Sequence, residues 1–289
     1  MPTTKSLVSH APGAKFERAE MPLRPLDENA VAIKILYSGI CHSDIHQVRD
    51  EWFEGIFPMV PGHEIVGHVV ELGSAVTKFK IGQAVGVGVF VNSCRECDAC
   101  KSNLESYCEN GPVGAYNGHD YNGEVQYGGY SKEIVTDEHF VVSISDGADL
   151  AECAPLLCAG ITVYSPLKHW KAGPGKKVAI LGMGGLGHLA VKFAVAMGAE
   201  VTVLGHSLKK KDDAIAFGAV DYRSTADEKT FDDWKLSRFA CYLVAMNADT
   251  KKPMVAKAQI YFAEQVEKVK VVCNRGRYNN NEPLFLKYV

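Results

Sequence analysis

Four cysteines crowd into SCRECDACKSNLESYC, at Cys94, Cys97, Cys100 and Cys108, in the pattern C-x2-C-x2-C-x7-C. A chain with this spacing can turn around one cation and offer a thiolate at each corner of a tetrahedron. Four soft ligands favour zinc, with an iron–sulfur cluster as the competitor. A shell closed by protein leaves no position for a substrate, so the expected role is to hold the loop together. A second set is dispersed: GICHSDIH supplies Cys41, Ser43, Asp44 and His46, PGHEIVGH supplies His63 and Glu64, and APLLCAGIT supplies Cys158. Two thiolates and one imidazole make a three-ligand zinc site whose fourth position is open to water or a substrate oxygen. Each of these residues alone carries little information, because a lone histidine or cysteine more often packs in a core. Their joint occurrence makes the argument.

A third constellation is Gly182, Gly184 and Gly187, G-x-G-x-x-G after the strand-like KVAIL and before a helical run. In that context small residues let the backbone approach a pyrophosphate, and a helix N-terminus stabilises its charge. Sites for NAD usually carry an acid at the end of the second strand. Here VTVLGHSLKKK offers Gly205, His206 and Ser207, with no carboxylate until Asp212. A 2′-phosphate would meet no repulsion there, and Ser207, Lys210 and Lys211 could bind it, so NADP is expected in preference to NAD.

The elements that must hold these residues follow from hydrophobic periodicity. Between about residues 30 and 90, short β-rich runs are broken by glycine: AVAIKILYSG, HEIVGHVVELG and IGQAVGVGVFV. After about residue 150 the rhythm becomes strand, helix, strand through KVAILG, GMGGLGHLAVKFAVAMG and EVTVLG, as a parallel βαβ unit requires. A boundary is expected near residues 148 to 160, where Cys158 sits. The chain's 289 residues are enough for two cores, and 47% apolar with 22% charged residues is a globular make-up. A net charge of −3 with interspersed signs offers no broad basic face to nucleic acid or an anionic membrane. No secretory leader or long apolar span is visible, so a cytoplasmic location is expected. Nine cysteines in that compartment read as metal ligands or free thiols.

These motifs resemble the zinc-dependent medium-chain alcohol dehydrogenases, and within them the NADP-dependent, cinnamyl alcohol dehydrogenase-like branch. The resemblance runs from about Lys5 to Ala219. Its most specific pieces are GICHSDIH, VPGHEIVGHVVELG, the four-cysteine loop, GGYS at Gly128 to Ser131, APLLCAGITVYSPL and LGMGGLGHLAVK. It implies an α/β chain in two parts: a GroES-like, β-rich catalytic domain over residues 1–152 and a Rossmann-type, doubly wound dinucleotide-binding domain over residues 153–289. It further implies that Cys41, His63 and Cys158 ligate a catalytic zinc, that Glu64 can approach the same metal, and that Asp44 orients His63. The four-cysteine loop then holds a second, structural zinc. Ser43, two residues after a ligand, is placed to accept the alcohol proton, with His46 as the base beyond it; a helix-capping hydroxyl is the plainer role for Ser43. The resemblance makes Trp52 and Phe90 walls of the substrate pocket, which suits benzylic, cinnamyl or medium-chain aliphatic alcohols and aldehydes. It sets Thr162, Gly185 and Leu186 beside the glycine motif at the cofactor, and it implies a homodimer.

Two other functions fit parts of the chain. A polyol dehydrogenase uses the same metal logic but commonly lacks a four-cysteine loop. A zinc and dinucleotide-binding remnant without turnover is prompted by the end of the chain. After AIAFGAVDYRS the family continues through further strands, whereas the seventy residues after Ala219 do not follow that pattern. Their last stretch, YFAEQVEKVKVVCNRGRYNNNEPLFLKYV, reads as a helix, a strand and a polar turn, an irregular or truncated close to the domain.

Overall fold

Alternation of apolar and polar residues builds most of the first half of the chain. The computed structural model describes residues 2–224. Strand β1 (Thr3–Val8) pairs antiparallel with β2 (Glu17–Pro22). Strand β3 (Ala30–Ser38) buries Val31, Ile33 and Ile35 and exposes Lys34 and Leu36, the period of two expected of a sheet with one covered face. Helix α1 (His42–Val48) follows, then β4 (Ile65–Leu72), β5 (Ala84–Val87), β6 (Phe90–Asn92), α2 (Asp98–Lys101), β7 (Val113–Gly114), β8 (Glu133–Asp137) and β9 (Val141–Ser143). Five of these strands form one antiparallel sheet in the order β8-β3-β4-β5-β9, and β6 pairs with β7 apart from it. Val31, Ile33, Ile65, Val69, Val85 and Val87 are the centre of its core.

The second half follows the parallel rhythm. Helix α3 (Leu150–Cys153) is capped by Asp149, whose carboxylate accepts the amides of Ala151 and Glu152 at 2.8 and 3.2 Å. A 3-10 turn at Ala154–Leu157 and helix α4 (Ala159–His169) come next. Strand β10 (Lys177–Leu181), helix α5 (Gly185–Ala196), strand β11 (Glu200–Gly205), helix α6 (Lys211–Ala216) and strand β12 (Asp221–Ser224) then form a parallel sheet ordered β10-β11-β12. Ile180, Val191, Val201, Val203 and Tyr222 belong to a second core that shares no residue with the first. The expected β-rich part followed by a βαβ part is the observed architecture.

The link between the halves is helical. α3 packs on β3 and β4, the 3-10 turn on β4 and β5, and α4 on α5. Cys158, between the turn and α4, is therefore held from both sides. The described residues belong to one compact unit that ends near residue 227. Among them no single helix is long and apolar enough to cross a membrane. The reading of the last segment as helix, strand and polar turn lies outside the described residues.

Candidate active site

The dispersed candidate ligands converge. Cys41 is the N-cap of α1, its backbone N–H donates to Asp44 Oδ2 at 3.0 Å, and the amide of Asp44 donates to the Cys41 carbonyl at 3.1 Å. The Cys41-x-x-Asp44 spacing is thus a capping box as well as a candidate ligand and its neighbour. Ser43 is not the cap; its hydroxyl stands 3.4 Å from Cys41 Sγ. His63 and Glu64 are buried just ahead of β4. The other carboxylate oxygen of Asp44 meets His63 Nδ1 at 3.0 Å and accepts the Gly62 amide at 3.0 Å. Cys158 brings its sulfur to 3.9 Å from Cys41 Sγ. One ligand atom each from Cys41, His63, Glu64 and Cys158 lies within 4.8 Å of all the others.

The electrostatics of this cluster suit a dication. Hydrogen bonds from Cys158 and His63, working against burial, lower the Cys41 thiol to about 3. Cys158 keeps its proton for that thiolate and, being buried as well, is raised far above the usual thiol range. Burial opposes a charge on His63, but Asp44 and Cys41 lift it to about 10. Burial and then the Cys41 charge raise Glu64 to about 7. Asp44 is buried too, yet His63 holds its carboxyl below the ordinary value. Two thiols, an imidazole and a carboxylate are a donor set for zinc, not for the hard, all-oxygen cations.

The four-cysteine loop closes on itself. All four sulfurs lie within 4.8 Å of one another. Sulfurs around a single ion at a zinc–sulfur distance of about 2.3 Å stand about 3.8 Å apart. Cys94 and Cys100 are 3.9 Å apart, as are Cys41 and Cys158, so each group is sized for one ion and not for a wider cluster of irons. Backbone amides serve the sulfurs: Cys94 N–H reaches Cys108 Sγ at 3.4 Å, Cys97 N–H reaches Cys94 Sγ at 3.4 Å, and Glu109 N–H reaches Cys97 Sγ at 3.5 Å. Amides of Glu96 and Cys97 lower the Cys94 thiol to about 6. Tyr121 Oη, 3.4 Å from Cys108 Sγ, joins the site without any local sequence signal.

The glycine motif sits in its expected strand–turn–helix setting. Gly182 follows β10 with φ +88°, Gly184 is the N-cap of α5, and Gly185 and Leu186 open that helix. Gly187 presses on the Gly182 carbonyl so closely that a Cβ would collide with it. Lys210, in the turn after β11, donates from Nζ to the Met183 carbonyl at 2.6 Å, which brings a cation to the glycine loop. The Ser207 carbonyl accepts Tyr222 Oη at 2.7 Å, tying that turn to β12. Lys211 starts α6 and is exposed, as is Thr162 on α4.

His46 stands on α1 with Nδ1 2.5 Å from Glu51 Oε2, and the Trp52 ring stacks on it with centroids 4.8 Å apart. Phe90 opens β6 and pairs with Gly114. Residue-by-residue reading missed several participants. Tyr130 donates to Asp44 at 3.4 Å from 86 positions away, Tyr116 bonds the same carboxylate, and Glu64 folds over Gly39.

The alcohol dehydrogenase GroES-like domain matches residues 27–146. The chain is 57% identical over 224 residues to "Probable formaldehyde dehydrogenase AdhA" of Bacillus subtilis, covering 78% of this chain and 64% of that protein. It is 54% identical over 233 residues to "NADP-dependent alcohol dehydrogenase C 1" of Mycolicibacterium smegmatis, covering 80% and 67%. Among solved structures, a cinnamyl alcohol dehydrogenase of Sorghum bicolor superposes with a TM-score of 0.75 at 41% identity, covering 78% of this chain and 65% of that one. The chain thus spans about two thirds of the length of these relatives. With two thiol-rich clusters and a glycine turn after the first strand of a parallel sheet, the chain belongs to the zinc-dependent medium-chain alcohol dehydrogenases, on the cinnamyl alcohol dehydrogenase-like branch.

Proposed function

We propose that this chain is an NADP-dependent alcohol dehydrogenase that interconverts primary alcohols and aldehydes of aromatic, cinnamyl or medium-chain aliphatic type. The observation that carries the reading is the convergence of Cys41, His63, Glu64 and Cys158 from three separate segments onto one point. A zinc held there supplies Lewis acidity toward the substrate oxygen, and the nicotinamide exchanges the hydride. The chain's own residues do the rest. Asp44 engages Nδ1 of His63, which leaves Nε2 as the ligand atom and fixes the plane of the ring. Ser43, against Cys41, takes the alcohol proton, and His46 delivers it to water. Trp52, stacked on His46, and Phe90 wall the substrate channel. The four-cysteine loop holds a structural zinc.

Gly182, Gly184, Gly185, Leu186 and Gly187 contact the pyrophosphate side of NADP, with Thr162 on the adjoining helix. Ser207, Lys210 and Lys211 bind the 2′-phosphate, which the position of Lys210 at the glycine loop supports. We read residues 1–152 as the catalytic domain and 153–289 as the dinucleotide-binding domain, supported by two separate cores, and the assembly as a homodimer. In zinc-replete protein, benzyl or cinnamyl alcohol should generate NADPH absorbance, faster with NADP than with NAD; no turnover with any primary alcohol would sink the proposal.

A further inference from the structure

The end of α1 closes in a way that acts on His46. Arg49 is the C-cap, and Asp50 takes a left-handed conformation at φ +59°. The Asp50 amide donates to the Gln47 carbonyl at 3.0 Å, and the Glu51 amide donates to the His46 carbonyl at 3.0 Å. Those two bonds define a Schellman motif, in which the second residue past the cap is folded back over the third residue before it. That contact is ordinarily between two apolar side chains. Here it is a carboxylate on an imidazole: Glu51 Oε2 meets His46 Nδ1 at 2.5 Å.

We propose that Glu51 is a positioning residue that fixes His46 as the Nδ1–H tautomer, so that the Nε2 lone pair is the atom that takes the proton; the proposal rests on the reading of His46 as the terminal base. A carboxylate beside Nδ1 can only accept, so the proton must sit on that nitrogen. A free neutral imidazole favours the proton on Nε2, which would leave the accepting nitrogen turned into the helix end. The other groups around the ring do not compete for Nδ1. Arg49 lies 4.0 Å from the second oxygen of Glu51, His42 stands beside His46 with centroids 4.9 Å apart, and Trp52 covers a face of the ring, not an edge. When Nε2 takes a proton, Nδ1 keeps its own and the imidazolium is paired with Glu51. Loss of the Nε2 proton to water restores the starting tautomer.

The test uses the full-length, zinc-loaded chain with ¹⁵N-labelled histidine, read by long-range proton–nitrogen correlation at about pH 8.5, above the ordinary histidine pKa. His46 is assigned by its loss in His46→Gln. The wild-type ring should show a protonated Nδ1 and an unprotonated Nε2. Glu51→Gln, whose amide oxygen still accepts, should keep that tautomer; Glu51→Ala should move the proton to Nε2. Alcohol oxidation in Glu51→Ala should lose about a hundredfold in kcat, the low end of what a positioned base contributes, with KM and zinc content unchanged and most of the rate restored in Glu51→Gln. A wild-type ring protonated on Nε2, or an Ala variant with an unchanged tautomer, overturns the proposal. If the wild-type chain does not turn over, the proposed function fails, and the tautomer by itself still decides the role of Glu51.

Discussion

The carboxylate of Glu64 fills the space in which a side chain on Gly39 would begin. The Gly39 amide donates to the Glu64 carbonyl at 2.9 Å, so the two residues are held side by side. A methyl group at position 39 must displace it from the ligand group it shares with Cys41, His63 and Cys158. Gly39→Ala should fold with a loss of about 1–3 kcal/mol from overpacking, measured by thermal unfolding, and should still bind two zincs. Turnover should drop by about a hundredfold, as for other small misplacements of catalytic groups. Unchanged kinetics would show that the position of Glu64 does not matter to the reaction.

Asp44 is the hub behind the candidate metal ligands. It accepts from Cys41 N–H, Gly62 N–H and Tyr130 Oη and meets His63 Nδ1. Asp44→Asn keeps the size but turns an N–H₂ toward groups that are themselves donors. Each mismatched buried group costs about 1–3 kcal/mol, and weakened support for the ligand histidine costs about 10- to 100-fold in metal affinity. Competition with a chelator should show the catalytic zinc leaving first, while the four-cysteine zinc remains. Equal loss of both metals would argue for general unfolding instead.

Zinc uptake at the catalytic site should depend steeply on pH, and the sign follows from the metal-free side chains. Cys41, near 3, is already a thiolate, whereas His63, near 10, and Cys158, raised further, both carry protons at neutral pH. The metal displaces both protons, so between about pH 6 and 8 the logarithm of the affinity should rise by about two for each pH unit. Glu64, near 7, steepens the acid end. Chelator competition at several pH values, corrected for the chelator's own protonation, measures the slope. A flat profile would mean that the ligands meet the metal already deprotonated.

What could be read from the sequence was what the chain keeps local. Cys94, Cys97, Cys100 and Cys108 share one loop, Cys41 and Asp44 share one helical turn, and the glycine motif is flanked by its own strand and helix. No local spacing joins Cys158 to Cys41, because 117 residues separate them and the helical link on the sheet makes the meeting. Strands β1 and β2 carry little sequence signal, since the buried positions of β1 include Thr4 and Ser6, satisfied by Glu133 and Ser131 far along the chain rather than by apolar packing. Glu51 reads as one more surface acid until the left-handed turn at Asp50 folds it onto His46. Tyr116 and Tyr130 carry no signal near Asp44 at all.

Gly187 tests the cofactor loop, because its constraint is backbone against backbone. A Cβ there would strike the Gly182 carbonyl oxygen and carbon, and neither can rotate away as a side chain could. Gly187→Ala must therefore push the first turn of α5 off the loop that follows β10. The helix end that should receive the pyrophosphate would move by the same amount. NADPH affinity, measured by nucleotide fluorescence, should fall by at least about tenfold, equivalent to about 1.4 kcal/mol. Zinc content should stay at two per chain, since both thiol groups lie elsewhere. The change should affect NADPH and NADH alike, because it acts on the pyrophosphate they share. Lys210→Ala should weaken NADPH alone, so a Gly187→Ala variant selective between the two nucleotides would show that this loop does not hold the pyrophosphate.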